Sequence, residues 1–340
     1  MRLSELLDLD SFALLGPGFG GGACVLLADL REGGQGEQRL VYTPFEGEAG
    51  SARTFSAGGA RALARGADEP LEMNVPPREL EARLDEGDYA RDVERIREAI
   101  AAGDVYQVCH TVRSRVGAAS GAELFTGMSA RGLARFAAWV RLPGGPEFVS
   151  ASPELFFETD GRAVHSEPMK GTARPGAGGE LEASEKDRAE LAMITDLVRN
   201  DLVPVCRPRT VRVACERRVV ELPYALQTVS DVVGELAEDI TPLDVLDALH
   251  PGGSVVGTPK RAALAMIRDL EPGPRGAYCG AMGVCREGRS VFSLLIRTAE
   301  RRPEGWVYGV GGGIVYESDA GRELEELRVK LGALRCRTPC

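Results

Sequence analysis

A chain of 340 residues, 44% hydrophobic and 27% charged, has material for a large buried core in one big domain or two. Its 51 acidic and 41 basic side chains leave a formal charge of −10 with no Lys/Arg-rich run, which argues against nucleic acid as a partner. No apolar run approaches the ~20 residues of a membrane span. The N-terminus lacks a signal peptide's apolar stretch, so a cytoplasmic protein is expected.

Residues 1–80 are rich in Gly and Ala and offer two strands, Ala23–Leu30 and Arg39–Tyr42, around Gly33–Glu37. Residues 72–78 read as a linker, dividing a region over 1–80 from a larger unit over 85–336. A helix is predicted over Asp88–Ala102, where Tyr89, Val93, Ile96 and Ile100 share a face and Gly103 closes it. Strands follow at Val105–Val116, Ala134–Arg141 and Glu147–Ser150. Leu155–Glu158 and Arg162–Ser166 flank Thr159-Asp-Gly161, a hairpin signal. Glu180–Leu202 is the longest helical stretch. Strands at Arg209–Val213 and Val219–Glu221 precede another core element at Leu226–Glu235. Pro242–Leu249 and Pro259–Leu270 each begin with proline, which suits a first helical turn. Ala277–Val284, Val291–Arg297 and Val307–Val315 read as strands, and Arg322–Leu334 as a closing helix. Groups of strands separated by helices, with several hairpins, indicate an α+β fold with antiparallel sheets.

Of the 41 basic residues, 37 are arginine; the lysines are Lys170, Lys186, Lys260 and Lys330. An ammonium can lose its proton and become a nucleophile where a guanidinium in practice cannot. Lys170 stands out, in the punctuated stretch Glu167-Pro-Met-Lys-Gly-Thr-Ala-Arg-Pro-Gly176. Asp187 and Glu190 share a face of the long helix, and Glu323 and Glu326 repeat the spacing on the closing helix. Such pairs are either solvated faces or, together, oxygen ligands for a hard cation such as Mg²⁺. No His shares this spacing, which disfavours a carboxylate-bridged iron site. Gly309–Val315 is either a glycine-kinked strand or a backbone that donates N–H groups to an anion. Glu154, among apolar neighbours at a strand entrance, is either a satisfied structural carboxyl or a proton donor with a raised pKa. Arg297 interrupts an apolar strand and calls for a buried carboxylate or an anionic ligand. His110, His165 and His250 read as structural. The eight cysteines contain no Cys-x-x-Cys, and most read as buried small hydrophobes.

Eight segments arrive in a telling order: Gly103-Asp-Val-Tyr-Gln-Val108, Ser152-Pro-Glu-Leu-Phe156, Pro168-Met-Lys-Gly-Thr172, Asp196-Leu-Val-Arg-Asn-Asp-Leu202, Pro251-Gly-Gly-Ser-Val-Val-Gly-Thr-Pro-Lys260, Arg275-Gly-Ala-Tyr-Cys-Gly280, Ile296-Arg-Thr298 and Gly311-Gly-Gly-Ile-Val315. Glu323, Glu326 and Lys330 close the series. From about Tyr89 to Leu334 the chain resembles the chorismate-utilising enzymes. That family contains anthranilate synthase component I, aminodeoxychorismate synthase component I, isochorismate synthase and salicylate synthase. The resemblance implies the anthranilate synthase component I-like fold: antiparallel β-sheets forming a sandwich, with helices packed on the outside. It makes 85–336 a chorismate-binding catalytic domain, with 1–80 a shortened N-terminal region packed on it.

The resemblance also implies roles. Glu190 and Glu326 match Mg²⁺ ligands, with Asp187 and Glu323 as water-mediated partners. Gly171 and Thr172 match positions near the ring carboxylate of chorismate. Tyr278, Arg297, Lys330 and the amides of Gly311, Gly312 and Gly313 match the pocket for the enolpyruvyl group. Glu154 matches a general acid/base. Gln107 stands where water-adding members carry lysine, while Lys170 and Pro251-Gly-Gly-Ser254 are similar to aminodeoxychorismate synthases. In the reaction this implies, Lys170 attacks C2 of chorismate as Glu154 protonates the departing hydroxyl, and ammonia then adds at C4 and expels Lys170. Burial near other cations is expected to keep Lys170 neutral. Gln227 departs from the family's usual His. A separate glutamine amidotransferase subunit supplying ammonia, and a downstream aminodeoxychorismate lyase on the way to 4-aminobenzoate and folate, are the implied partners. The alternatives are anthranilate synthase component I and a non-catalytic chorismate-binding subunit.

Overall fold

Eighteen strands and nine α-helices follow one another among the residues described by the computed structural model: 2–20, 23–33, 38–63, 74, 75, 80–84, 86–174, 176, 178–222, 225–331 and 334. The first strands are β1 (Phe12–Leu15), β2 (Cys24–Glu32), β3 (Gln38–Thr43), β4 (Arg53–Leu63), β5 (Ala82–Leu84) and β6 (Gln107–Val116). Next come β7 (Phe136–Arg141), β8 (Glu147–Ser152), β9 (Leu155–Asp160), β10 (Ala163–Ser166) and β11 (Met169–Ala173). The last are β12 (Arg212–Leu222), β13 (Ala225–Glu235), β14 (Gly257–Thr258), β15 (Ala281–Arg286), β16 (Arg289–Leu294), β17 (Thr298–Arg302) and β18 (Gly305–Ile314). The helices are α1 (Pro17–Gly20), α2 (Tyr89–Ala102), α3 (Gly121–Ser129), α4 (Gly178–Ala183), α5 (Glu185–Leu202), α6 (Pro242–Leu249), α7 (Gly253–Val256), α8 (Lys260–Leu270) and α9 (Ala320–Leu331).

All these strands belong to one antiparallel network. From one end it runs β6–β18–β17–β8–β7–β1–β2–β4. It continues β3–β15–β16–β9–β10–β13–β12, with β11 also on β13 and β5 and β14 on β6. The centre of the network is apolar on both faces. In β1, Phe12 and Leu14 enter one buried cluster and Ala13 and Leu15 the other. In β7, Ala137 and Trp139 go one way and Phe136, Ala138 and Val140 the other. Side chains alternate across a strand, so a strand covered on both faces must be apolar at every position.

The two ends of the network fold back on each other. A Cβ built on Gly313 of β18 would lie 3.4 Å from Lys170 Nζ of β11. The helices cover the outside, with α5 against β11, β12 and β13, α9 against β18 and α8 against β6. Among the described residues no helix is long and apolar enough to cross a membrane.

Several sequence expectations change. The helix expected over 180–202 is two, because the Ser184 hydroxyl accepts from Asp187 N at 3.2 Å and starts α5 afresh. The strands expected over 209–213 and 219–221 are one, β12, whose register shifts around Cys215. Residues 277–280 do not join β15, since Cys279 takes a left-handed backbone with φ 66°. The strand expected over 291–297 ends at Leu294. Most of the expected linker over 72–78 lies outside the described residues.

Candidate active site

The site begins with a fault in a strand. β11 pairs with β13 through Lys170–Thr228 and then Thr172–Gln227, skipping Gly171. This bulge breaks the alternation, so Lys170, Gly171 and Thr172 all reach the same cavity. Gly171 has φ +72°, and a Cβ there would meet Asp187 Cγ at 3.0 Å. Both facts demand glycine. The Thr228 hydroxyl donates to the Lys170 carbonyl at 2.5 Å and fixes the strand. Gln227 Nε2 donates to Thr172 Oγ1 at 3.1 Å on the same wall.

Glu154 enters from the turn between β8 and β9, which are paired to β17 and β16. It is buried, and its Oε1 accepts from Ser254 Oγ at 3.0 Å. Burial pushes its pKa up to about 7, against the opposing pull of the Ser254 hydroxyl and the charges of Lys170 and Arg297. It is therefore poised to give or take a proton near neutrality. Arg297 sits where the chain turns from β16 to β17, with φ 52° and its carbonyl accepting from Ala151 N at 3.0 Å. That turn aims a cation into the cavity beside Tyr278 and Tyr308. Burial holds the Arg297 pKa below its ordinary value, partly offset by Tyr308 and Glu154.

The Gly311–Gly313 segment of β18 forms the wall opposite Lys170. At Gly313 a Cβ would come within 2.2 Å of Gln107 Nε2, so a larger residue there would have to displace the buried Gln107 side chain. Lys330 Nζ, from α9, donates to the Gly311 carbonyl at 2.9 Å and pairs with Glu326 Oε1 at 2.8 Å.

Helices α5 and α9 supply the carboxylates. Burial pushes the Glu190 pKa up; Lys170 and Lys186 oppose the shift, while Asp187 and Glu326 add like charge. Burial works to raise the Glu326 pKa, but Lys330, together with Lys186 and Lys170, outweighs it and holds the group below its usual range. Glu323 is buried and its Oε1 accepts from Ser318 Oγ at 2.6 Å. The donor set suits a hard divalent cation: every donor is oxygen, and Glu190 carries a like-charge penalty that a cation would relieve. The carboxylates line the cavity rather than closing on a point, which leaves room for water and a ligand oxygen. Among the described residues, the His, Cys or acidic side chains whose ligand atoms all lie within 4.8 Å of one another are His165, Glu167 and Asp231. That set is already balanced by Arg218 and Arg135.

One sequence expectation is reversed. Burial works against the Lys170 ammonium, but the carboxylates of Glu190, Glu154 and Glu326, with Cys109, outweigh it. Its pKa stands above the usual lysine value, so Lys170 is a cation at neutral pH.

All these walls enclose one cavity of about 370 Å³. Every residue named from the sequence as a catalytic, substrate or metal position lines it: Lys170, Glu154, Gly171, Thr172, Tyr278, Arg297, Gly311, Gly312, Gly313, Lys330, Glu190, Glu326, Asp187 and Glu323. Cys109, Lys186 and Ser254 also line it and were assigned no role. The rarity of lysine was a signal for Lys186. Nothing local marked Cys109, whose Sγ donates to the Ser254 carbonyl at 3.2 Å. The three histidines lie elsewhere: His110 stacks on Tyr89, His165 bridges Glu158 and Asp231, and His250 bonds the Pro44 carbonyl. The six described cysteines are free.

Comparison with known proteins agrees with this geometry. The chain is 38% identical over 265 residues to anthranilate synthase component 1 of Streptomyces coelicolor, covering 74% of this chain and 52% of that one. It is 36% identical over 332 residues to the aminodeoxychorismate synthase of Streptomyces pristinaespiralis, covering 92% and 46%. The chain thus spans about half the length of the curated relatives it matches. Two solved structures share the α+β fold. A putative 2,3-dihydroxybenzoate-specific isochorismate synthase from Bacillus anthracis has a TM-score of 0.78 at 21% identity, covering 98% of each chain. Anthranilate synthase component I from Streptococcus pneumoniae has a TM-score of 0.75 at 19% identity, covering 95% and 89%. Residues 29–335 match the family described as chorismate binding enzyme, and with that cavity at its centre the chain belongs to this family of chorismate-utilising, anthranilate synthase component I-like enzymes.

Proposed function

We propose that the chain works in the cytoplasm as an aminodeoxychorismate synthase component I, converting chorismate and ammonia to 4-amino-4-deoxychorismate. The observation that carries this reading is the amine of Lys170, inside the cavity with Glu154 and Glu190 near enough to set its charge. Glu154, as carboxylate, takes a proton from the Lys170 ammonium; the neutral Nζ then forms a bond to C2 of the ring, the ring double bonds shift, and the 4-hydroxyl leaves as water with that proton. Ammonia then forms a bond at C4, the double bonds shift back, the C2–N bond to Lys170 breaks, and a proton of the new C4 ammonium restores the Lys170 ammonium. Arg297 and Lys330 orient the enolpyruvyl carboxylate, with Tyr278 and the amides of Gly311–Gly313 around it. Mg²⁺ held by Glu190 and Glu326, with Asp187 and Glu323 behind them, would supply a Lewis acid at the ring carboxylate and neutralise the charge that keeps Lys170 protonated. A separate glutamine amidotransferase supplies the ammonia, and a lyase consumes the product toward 4-aminobenzoate and folate.

A second reading, anthranilate synthase component I, is favoured by the raised pKa of Lys170, which suits a fixed cation better than a nucleophile. One assay separates them. Incubation with chorismate, Mg²⁺ and ammonium should give a product that becomes 4-aminobenzoate only after a lyase is added. Anthranilate formed without the lyase would establish the second reading instead. Lys170→Ala should abolish 4-amination with an unchanged circular dichroism spectrum. Unaltered turnover in that variant would remove Lys170 from the mechanism.

A further inference from the structure

The chain uses arginine at 37 of its 41 basic positions, yet three of its four lysines, Lys170, Lys186 and Lys330, line one cavity that among the described residues holds a single arginine, Arg297. The fourth, Lys260, is held by Asp201 at 2.5 Å. A surface bias toward arginine does not explain this gathering of ammonium groups. Lys170 and Lys330 have places in the reaction above; Lys186 has none.

Lys186 stands in the first turn of α5 at the cavity mouth, its side chain 61% exposed and its Nζ 3.8 Å from Glu190 Oε1. Its charge also bears on Glu326 of α9, so it faces carboxylates of both helices. A divalent cation that binds those oxygens must push the ammonium aside. Lysine suits that task. It is a strongly hydrated point charge on a flexible stem, whereas a guanidinium would grip a carboxylate through two parallel bonds. An exposed ion pair is weak and easily exchanged. We propose that Lys186 is a displaceable counter-cation of Glu190 and Glu326, competing with the divalent ion for these carboxylates and so setting the concentration at which the ion binds. The proposal rests on the metal reading of these carboxylates.

Calorimetric titration of the full chain with Mg²⁺ alone, in the absence of chorismate, tests it without reference to turnover. Lys186→Met should tighten Mg²⁺ binding about two- to fivefold, the factor expected for loss of one exposed ion pair. Lys186→Arg should weaken it by a similar factor. Arg188→Met removes the same charge two residues along α5, on a different side of the helix, where Arg188 pairs with Glu185 at 3.2 Å, and should leave the affinity unchanged. Unchanged or weakened binding in Lys186→Met overturns the proposal, as does equal tightening in Arg188→Met. Glu190→Gln and Glu326→Gln separate the two levels. If both leave Mg²⁺ binding intact, the metal reading itself fails; if they weaken it while Lys186→Met changes nothing, only the role of Lys186 fails.

Discussion

Glu154 shows how a single buried carboxyl is tuned by opposing neighbours. Burial favours its neutral form, and Ser254, Lys170 and Arg297 favour its charged form; the balance settles at about 7. As general acid it must carry a proton. That proton comes from the Lys170 ammonium, so the reactive free enzyme carries one proton on the pair, and its kcat/KM should rise as pH passes up through about 7 and then level off. The Ser254 hydroxyl donates to Glu154 Oε1 and stabilises the carboxylate. Ser254→Ala removes that donor, and the rising limb should move to higher pH by about one unit, the worth of one hydrogen bond to a charged group. A pH–rate profile of the variant checks this. A limb that stays in place would mean that another group gives the proton.

At the scale of elements, the bulge in β11 joins catalysis to stability. Gly171→Ala puts a Cβ at a backbone of φ +72° and 3.0 Å from Asp187 Cγ. The left-handed conformation alone costs an L-residue about 1–2 kcal/mol, and Asp187 must also shift. Chemical denaturation should show a loss of that size, with a poorer response to Mg²⁺. Much of this scale was legible in the sequence. Asp187 and Glu190 fall on one face of α5 because helical spacing puts them there, and Gly103 ends α2 with φ 84°. The unread parts have physical reasons. β1 is apolar on both faces, so Phe12–Leu15 has no alternation to betray it. In α3, residues 121 to 128 are all buried, which erases the amphipathic period. The charge on Lys170 depends on Glu154, Glu190 and Glu326, brought together only by the closing of the network, and no local pattern reports it.

That closing is a property of the whole molecule, and Arg275 braces its β6 end. Its guanidinium is fully buried. Nη1 donates to the Val255 carbonyl and Nη2 to the Cys109 carbonyl, each at 2.7 Å, while Glu271 takes both Nε and Nη2. Glu271 also accepts from Thr111 N at 3.0 Å, and the guanidinium lies 4.3 Å from the centroid of the Phe45 ring. One pair thus ties the loop after β3, strand β6, α7 and the end of α8. Cys109, Thr111 and Val255 line the cavity, so the same tie holds part of the active-site wall. Arg275→Met strips the partner from a buried carboxylate and leaves two carbonyls without donors. Urea denaturation should show a loss of about 3–5 kcal/mol, the cost of breaking a buried ion pair on one side. The wall should loosen with it, raising KM for chorismate more than it lowers kcat, because the reacting groups Lys170 and Glu154 stand on β11 and the β8–β9 turn rather than on the strand that Arg275 holds. A stability loss under about 1 kcal/mol would mean that water reaches Glu271 and Cys109 in the variant, and that β6, α7 and α8 are held together by apolar packing alone.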